Sequence, residues 1–346
     1  MRYRDAGVDL ARADALKSRI QTAVRSTWTG GVRPLESGFA GLIDWPGAAP
    51  GAPLLLAATM DGVGTKLHLA LELGRVADAA ADLVYHGAND LLAHGARPLA
   101  LLDYVAQSRL DPEVVGQAVD GLCRACREVS AALLGGETAE MPDTYLPGVV
   151  DVAGCMLGTV QADRILDGRE VFPGDVLLGL RSTGLHTNGY SLARSVLARS
   201  GRTLRERLPG GDGRTIGELL LDPHRAYGAA LLPLLEPGGH GIRALAHVTG
   251  GGIGGNLKRV LPEGVSARID PRAWERPALF RWLIETGEIP EDDARASFNL
   301  GIGMVAVVTP ERANEVSRAL EAAGESVCRI GTLAPGPRAV VWEDMG

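Results

Sequence analysis

Aromatic residues make up only 4% of this chain, so its interior must be aliphatic, built from Leu, Val, Ile and Ala. Positive charge is not in excess either. The formal net charge of −7 excludes a general binder of phosphate backbones, which needs a basic field. Small phosphorylated ligands stay admissible, because a local nest of backbone N–H groups can hold a phosphate on an acidic protein. No apolar run is long and charge-free enough to span a bilayer; even 110–134 carries Asp, Glu and Arg throughout. Met1–Gly7 is polar and no signal-like apolar segment follows, so the expected setting is cytoplasmic, with no membrane and no nucleic acid as partner. The four cysteines offer little metal or redox chemistry. Cys123 and Cys126 form a C-x-x-C, but no second cysteine pair completes a tetrahedral site. Cys126 lies on the stripe Val115, Val119, Leu122, Val129 and Leu133, as a small buried hydrophobe on an amphipathic helix.

Glycine, by contrast, is abundant, with 46 residues among 346. That count predicts many tight turns or close approaches of backbone to a ligand. The length suits two domains, each with its own core. We place their junction in the Gly- and Pro-containing stretch 163–174, giving 1–168 and 169–346. In the first part the pattern predicts a helix over Asp9–Ala23, a long loop over 30–51, and a strand over Pro53–Thr59. A helix from Ala77 to Ala93 follows, then a strand over Pro98–Ala106, a helix starting at Asp111-Pro112 and a strand over Val149–Val160. The second part alternates strands (175–180, 242–248, 265–269, 302–308, 327–332, 339–342) with helices (191–200, 224–235, 253–260, 277–286, 311–323), a layered α/β or α+β pattern.

Several clusters carry chemical potential. Asp61-Gly62-Val63-Gly64-Thr65-Lys66 closes a strand with a carboxylate, two glycines and a lysine, a set suited to phosphate and magnesium although the P-loop spacing is absent. Asn89-Asp90 falls late on a helix, where such residues also serve as caps. Asp103 interrupts an apolar run and needs a partner. Gly135-Gly136-Glu137-Thr138-Ala139-Glu140 reads as a glycine turn bearing two carboxylates. Asp61, Asp90, Glu137 and Glu140 thus sit near element ends in one domain, a distribution that suits a nucleotide–metal site. In the second part, His186-Thr187-Asn188-Gly189 precedes a helix: Thr187 or Asn188 can cap it, and histidine moves protons near neutral pH. His247-Val248-Thr249-Gly250-Gly251-Gly252 leads from strand to helix and suits an anion. Gly250, Gly252 and Gly255 also satisfy the dinucleotide pattern, with Asp270 too close in sequence to be decisive. Asn299, entering a glycine-rich strand, can face a ligand.

The order of these motifs, with Tyr3–Asp9, Asp103-Tyr104, His186–Leu192 and Phe298–Met304, resembles the aminoimidazole ribonucleotide synthetase (phosphoribosylformylglycinamidine cyclo-ligase) family over residues 3 to 333. The acidic strand ends are shared with thiamine-monophosphate kinase, selenophosphate synthetase and the synthetase half of formylglycinamide ribonucleotide amidotransferase. The resemblance implies a two-domain synthetase fold, α/β (α+β) in class. Its N-terminal mixed sheet forms a β-barrel in a homodimer, and a layered α/β domain lies C-terminal. It implies ATP-dependent closure of formylglycinamidine ribonucleotide to aminoimidazole ribonucleotide, with ADP and phosphate released, in purine biosynthesis. Asp61, Asp90 and Glu137 are then expected Mg²⁺ ligands, and Lys66 a phosphate contact and catalytic residue. Gly62, Gly64, Thr65, Asn89 and Gly136 complete the ATP site, with Ser37, Gly38, Phe39, Ala40 and Gly41 as a flexible cover. His186 and Asn188 face the substrate, His186 handling protons, and Thr249, Gly250, Gly251, Gly252 and Asn299 bind it.

Departures from the family pattern fall at Met60 (usually Thr), Ala40 (usually Gly), His86-Gly87-Ala88 and Ser108-Arg109. Three other readings stand beside the cyclo-ligase. They are a related ATP-dependent small-molecule kinase or synthetase, a nucleotide-binding regulator without turnover, and a dinucleotide oxidoreductase.

Overall fold

The computed structural model describes residues 20, 22–35, 38–47, 53–236 and 241–343. The Tyr3–Asp9 motif, most of the expected Asp9–Ala23 helix and Ser37 lie outside them. Two mixed six-stranded sheets organise the described chain. The first contains β1 (Val32–Arg33), β2 (Gly41–Asp44), β3 (Leu54–Gly62), β4 (Arg97–Gln107), β5 (Ala132–Glu140) and β6 (Val150–Gln161), in the order β1-β2-β3-β6-β4-β5. Its pairs are antiparallel except β4–β5, which the Pro112–Glu128 helix connects as a parallel crossover. Asp111 caps that helix, its carboxylate accepting from the N–H groups of Glu113 and Val114. Ala118, Leu122, Ala125 and Cys126 are its buried face. Burial pushes the Cys126 thiol up to about 11, as befits an inert core residue.

Along β6, burial alternates residue by residue. Val150, Val152, Met156 and Val160 lie in the apolar core on the side covered by the Val76–Leu92 and Pro112–Glu128 helices. The opposite face has no covering layer among the described residues. Met60 is 70% exposed, Leu134 67% and Leu102 41%.

The second sheet holds β7 (Val176–Arg181), β8 (Ile242–His247), β9 (Val265–Ile269), β10 (Ile302–Val308), β11 (Val327–Pro335) and β12 (Ala339–Trp342), in the order β12-β9-β11-β7-β10-β8. β10 is buried at every position. Its alternate residues enter two separate apolar clusters, Val305 and Val307 on one side and Met304, Ala306 and Val308 on the other. β8 and β9, which flank the Gly250–Gly255 stretch, lie apart in this sheet, so no parallel βαβ unit surrounds the glycines. The dinucleotide reading loses its structural context.

Apolar packing continues across the boundary between the two halves. The largest apolar cluster joins Leu55, Leu83 and Leu122 of the first half to Leu192, Trp282 and Phe298 of the second. A polar hub lies beside it. Lys66 and Asp82 are wholly buried and form a close ion pair. The Lys66 ammonium also donates to the carbonyls of Asp222 at 2.8 Å and His186 at 3.3 Å, while Asp82 accepts the His224 N–H at 2.8 Å. Both charges are therefore neutralised and hydrogen-bonded, which buried ions require.

The hub explains one difference from the sequence pattern. A helix was expected over 224–235, yet regular helix begins at Gly228. Backbone groups at 222–227 are committed elsewhere: Asn89 donates to the Arg225 carbonyl at 2.8 Å and accepts the Tyr227 N–H at 3.1 Å. Groups bonded across the seam cannot also serve a helix. A second difference is Gly135-Gly136, expected as a turn and found inside β5. A Cβ on Gly136 would lie 2.2 Å from an Asp103 carboxylate oxygen and 2.4 Å from its carbonyl, so the glycine permits strand pairing there. The helices Lys66–Leu73, Ile216–Leu220 and Glu291–Ser297 were not foreseen.

Replacing Lys66 by Met leaves Asp82 buried without a counter-charge. The expected loss is about 3–5 kcal/mol of unfolding free energy, read by urea denaturation. The double substitution Lys66→Met with Asp82→Leu should recover a substantial part of it. Equal losses in the single and double variants would contradict a paired role.

Candidate active site

The seam between the two halves collects charged and imidazole side chains from separated stretches of sequence. β3 delivers Asp61 at its end, where one carboxylate oxygen accepts the Gly62 N–H at 2.7 Å. The last turns of the Val76–Leu92 helix deliver His86 and Asp90, one turn apart on the same face. The end of β8 delivers His247, and two loops deliver His186 and His224.

His86 sits between the two carboxylates. Its Nε2 lies 2.8 Å from Asp61 Oδ2 and 3.6 Å from Asp90 Oδ2, and its Nδ1 lies 2.6 Å from the Thr187 hydroxyl. Burial opposes a charge on this ring, but Asp90 and Asp61 outweigh burial and push its pKa up to about 9. With both nitrogens protonated, Nε2–H donates to Asp61 and Nδ1–H to Thr187. Asp61 is held below its usual range: burial raises it, and the His86 contact more than reverses this. Asp90 is further engaged by His247, whose Nδ1 lies 2.7 Å from Oδ1, and by the Thr59 hydroxyl at 3.3 Å.

The remaining imidazoles stay neutral. Burial drives His186 and His224 well below the usual value, with neighbouring cations acting in the same direction. Burial also lowers His247, although Asp90 resists. His186 has a positive φ of 62° and stacks on His224 at 3.9 Å between ring centroids. The left-handed backbone turns it beneath the chain at Gly303, where an added Cβ would lie 2.4 Å from the ring.

The expected site residues divide into those brought together and those kept apart. Asp61 and Asp90 meet around His86. Asn188 reaches the glycine turn: its amide oxygen would lie 3.3 Å from a Cβ on Gly250. Gly251 and Gly252 both take positive φ, and Asn256 donates to the carbonyls of Gly250 and Gly252 while accepting from Thr249. Gly64 also has positive φ, and Thr65 meets Ser191 across the seam at 3.5 Å.

Glu137 stands elsewhere. The register Gly62–Ala153–Tyr104–Glu137 puts it three strands from β3, about 14 Å at the usual strand spacing, and on the uncovered face rather than the helix-covered face of Asp61. Within one chain it does not join Asp61 and Asp90. Lys66 was expected at a phosphate, but its ammonium is buried under Asp82 and two carbonyls and serves the seam. Asn89 likewise spends its amide on the Arg225–Tyr227 backbone. Asn299 is buried, accepting from Ser182 and the Gly301 N–H and donating to the Gly184 carbonyl, so it shapes loops rather than facing a ligand. Gly38 takes positive φ, but Phe39 is buried in the second half's core against His94, with Arg259 over its ring at 5.0 Å. The cover is docked here. Asp103 is half-buried, and burial raises its carboxyl pKa.

Sequence reasoning missed His86 as a site residue, and His224 and His247 as partners. One signal was available: a histidine on the apolar stretch of a helix must find a polar partner.

Two mixed sheets with an acidic, histidine-rich seam define a synthetase-type α/β protein. The sequence matches the AIR synthase related protein N-terminal domain over residues 42–160 and its C-terminal domain over 173–343. The chain belongs to the AIR synthase (phosphoribosylformylglycinamidine cyclo-ligase) family. It is 44% identical over 331 residues to the phosphoribosylformylglycinamidine cyclo-ligase of Nitratidesulfovibrio vulgaris, covering 96% of this chain and 93% of that protein. The chloroplastic enzyme of Arabidopsis thaliana is 42% identical, with 97% and 82% covered. Among solved structures, thiamine-monophosphate kinase from Stenotrophomonas maltophilia shares the fold, at a TM-score of 0.63 and 19% identity over 95% of this chain and 96% of that one. No described helix is long and apolar enough to cross a membrane.

The imidazoles set two opposing pH effects on stability. His86 keeps its proton in the folded chain to about 9, against 6.5 as a free side chain, so its contribution is complete below 6.5 and is lost as pH rises through 9. His186, His224 and His247 are depressed, so acid favours the unfolded chain below 6.5. Thermal unfolding from pH 5 to 10 should show the midpoint falling on both sides of neutrality. In His86→Gln the alkaline decline should flatten; an unchanged alkaline limb would refute the assignment.

Proposed function

We propose that this chain is the ATP-dependent ligase that closes formylglycinamidine ribonucleotide to aminoimidazole ribonucleotide, releasing ADP and phosphate in purine biosynthesis. The observation that carries this reading is the 44% identity extending over 96% of the chain to a cyclo-ligase. The formyl amide oxygen attacks the γ-phosphorus of ATP, and ADP leaves. The resulting iminophosphate carbon is attacked by the amidine nitrogen, and phosphate departs with the former formyl oxygen as the imidazole ring closes. Positioning and charge neutralisation supply most of the rate in such steps.

Asp61 and Asp90 would hold Mg²⁺, which would offset the charge of the phosphates during transfer. The two carboxylates converge on one point, as a cation site needs, and Mg²⁺ would replace the His86 imidazolium that pairs with them here. Thr65, Gly62 and Gly64 lie beside Asp61 and complete the nucleotide side. Asn188 with Thr249, Gly250, Gly251 and Gly252 forms the substrate side, and neutral His186 accepts a proton during ring closure. Lys66, Asn89 and Asn299 act as positioning residues in this reading.

The second part of the proposal is a homodimer in which the uncovered faces of two first sheets pack into a barrel. Met60, Leu102 and Leu134 give that face apolar surface of the kind interfaces bury. Glu137 lies on that face of the edge strand and would enter the site through this packing, whereas Gly136 before it faces the helix-covered side. The division near residue 168 and the cytoplasmic setting belong to the same proposal.

Purified protein with ATP, Mg²⁺ and formylglycinamidine ribonucleotide should form aminoimidazole ribonucleotide. Transfer of phosphate to a stable product would instead favour a kinase. Asp61→Asn and His186→Ala should each lower turnover about tenfold or more without unfolding; wild-type rates in either folded variant remove that residue from the site. Met60→Glu should shift the sedimentation coefficient from dimer to monomer, and a monomeric wild type would end the barrel proposal.

A further inference from the structure

Four of the chain's seven histidines gather at the seam, although they are scattered from position 86 to position 247. His86, His186, His224 and His247 are each 5% exposed or less. A neutral imidazole carries one N–H and one lone pair, and both need partners when water is excluded. His247 uses Nδ1–H on Asp90, and its Nε2 faces His224 Nε2 at 3.0 Å, where one proton must serve two nitrogens. The Nδ1 atoms of His186 and His224 are buried with no hydrogen-bond partner. Each such orphan costs about 1–3 kcal/mol, and the Nε2 atoms are held only loosely: His186 accepts the Arg225 N–H at 3.5 Å, and His224 shares one proton with His247.

We infer that His186, His224 and His247 form a binding site for a divalent transition-metal ion of the Zn²⁺ class. Each offers one ring nitrogen, and the three atoms lie within 4.8 Å of one another. Imidazole nitrogens around a tetrahedral Zn²⁺ lie about 3.3 Å apart, given Zn–N bonds of about 2.0–2.1 Å, so the 3.0 Å pair needs little adjustment. Asp90 on the far nitrogen of His247 supplies the carboxylate that commonly orients a metal-bound imidazole. The backbone is also fixed at each position. His247 ends a strand, His224 is tied through its N–H to Asp82, and His186 is locked at positive φ. Mg²⁺ prefers oxygen ligands and does not compete for three imidazoles.

A second trio, His86, Asp90 and His247, is equally compact. It is the weaker choice because both His86 nitrogens already donate, to Asp61 and Thr187. The three-histidine site does not depend on the proposed ligase reaction. It does use the His186 lone pair, so a loaded site withdraws that group from proton transfer.

The test titrates metal-stripped protein with Co²⁺ and follows the visible spectrum, then displaces it with Zn²⁺. The expected result is one equivalent of Co²⁺ with the intense visible absorption of tetrahedral coordination, removed by Zn²⁺. His224→Gln and His186→Gln should each weaken Co²⁺ binding about tenfold or more, whereas His86→Gln should leave it nearly unchanged. Circular dichroism checks that each variant is folded; two independent variants keep the test decisive if one is not. Absence of Co²⁺ binding, or weak octahedral absorption only, overturns the inference. So does loss of binding in His86→Gln with retention in His224→Gln, which would move the metal to the carboxylate-containing trio. Because the readout is a spectrum, failure here leaves the ligase proposal untouched, and failure of the activity assay leaves this one untouched.

Discussion

The buried pair of Lys66 and Asp82 is the constraint on which the seam depends. Taking two charges wholly out of water is tolerable only when every remaining donor and acceptor is matched. The carbonyls of His186 and Asp222 and the N–H of His224 complete that matching from the other half of the molecule. The pair thus fixes the two loops that carry His186 and His224 against the helix that carries His86 and Asp90. A lysine that looks like a phosphate contact in sequence acts as the pin of a joint.

Around that joint, charge is arranged economically. Two carboxylates share one imidazolium, while three neighbouring imidazoles are kept neutral by burial and by one another. The same residue type takes opposite protonation states within one cluster because only His86 touches both Asp61 and Asp90. In this chain a protein cation therefore already lies where acidic side chains converge, and any metal or phosphate chemistry there begins from a neutralised pair.

Most of the fold was legible because its elements announce themselves locally. The Pro112–Glu128 helix has its cap and stripe in sequence, and β6 shows an apolar run of strand length. What escaped was decided by distant partners. Residues 224–227 looked like the start of a helix, but Asp82 and Asn89 claim their backbone groups. Gly135-Gly136 looked like a turn, since the demand for a missing Cβ comes from Asp103 on another strand. Asp61 and Asp90 were grouped with Glu137 and Glu140, yet the histidines around them read as single residues on unrelated elements. Glu137 shares a domain with both and a sheet with Asp61, but it points to the other side, a distinction set by strand register.

The apolar cluster that runs from Leu55 and Leu122 to Trp282 and Phe298 has a further meaning for how such a chain can change. Cutting between the sheets would expose apolar surface on both pieces, so each half would lose part of its packing. A change of side-chain volume at this seam is therefore felt by both halves at once.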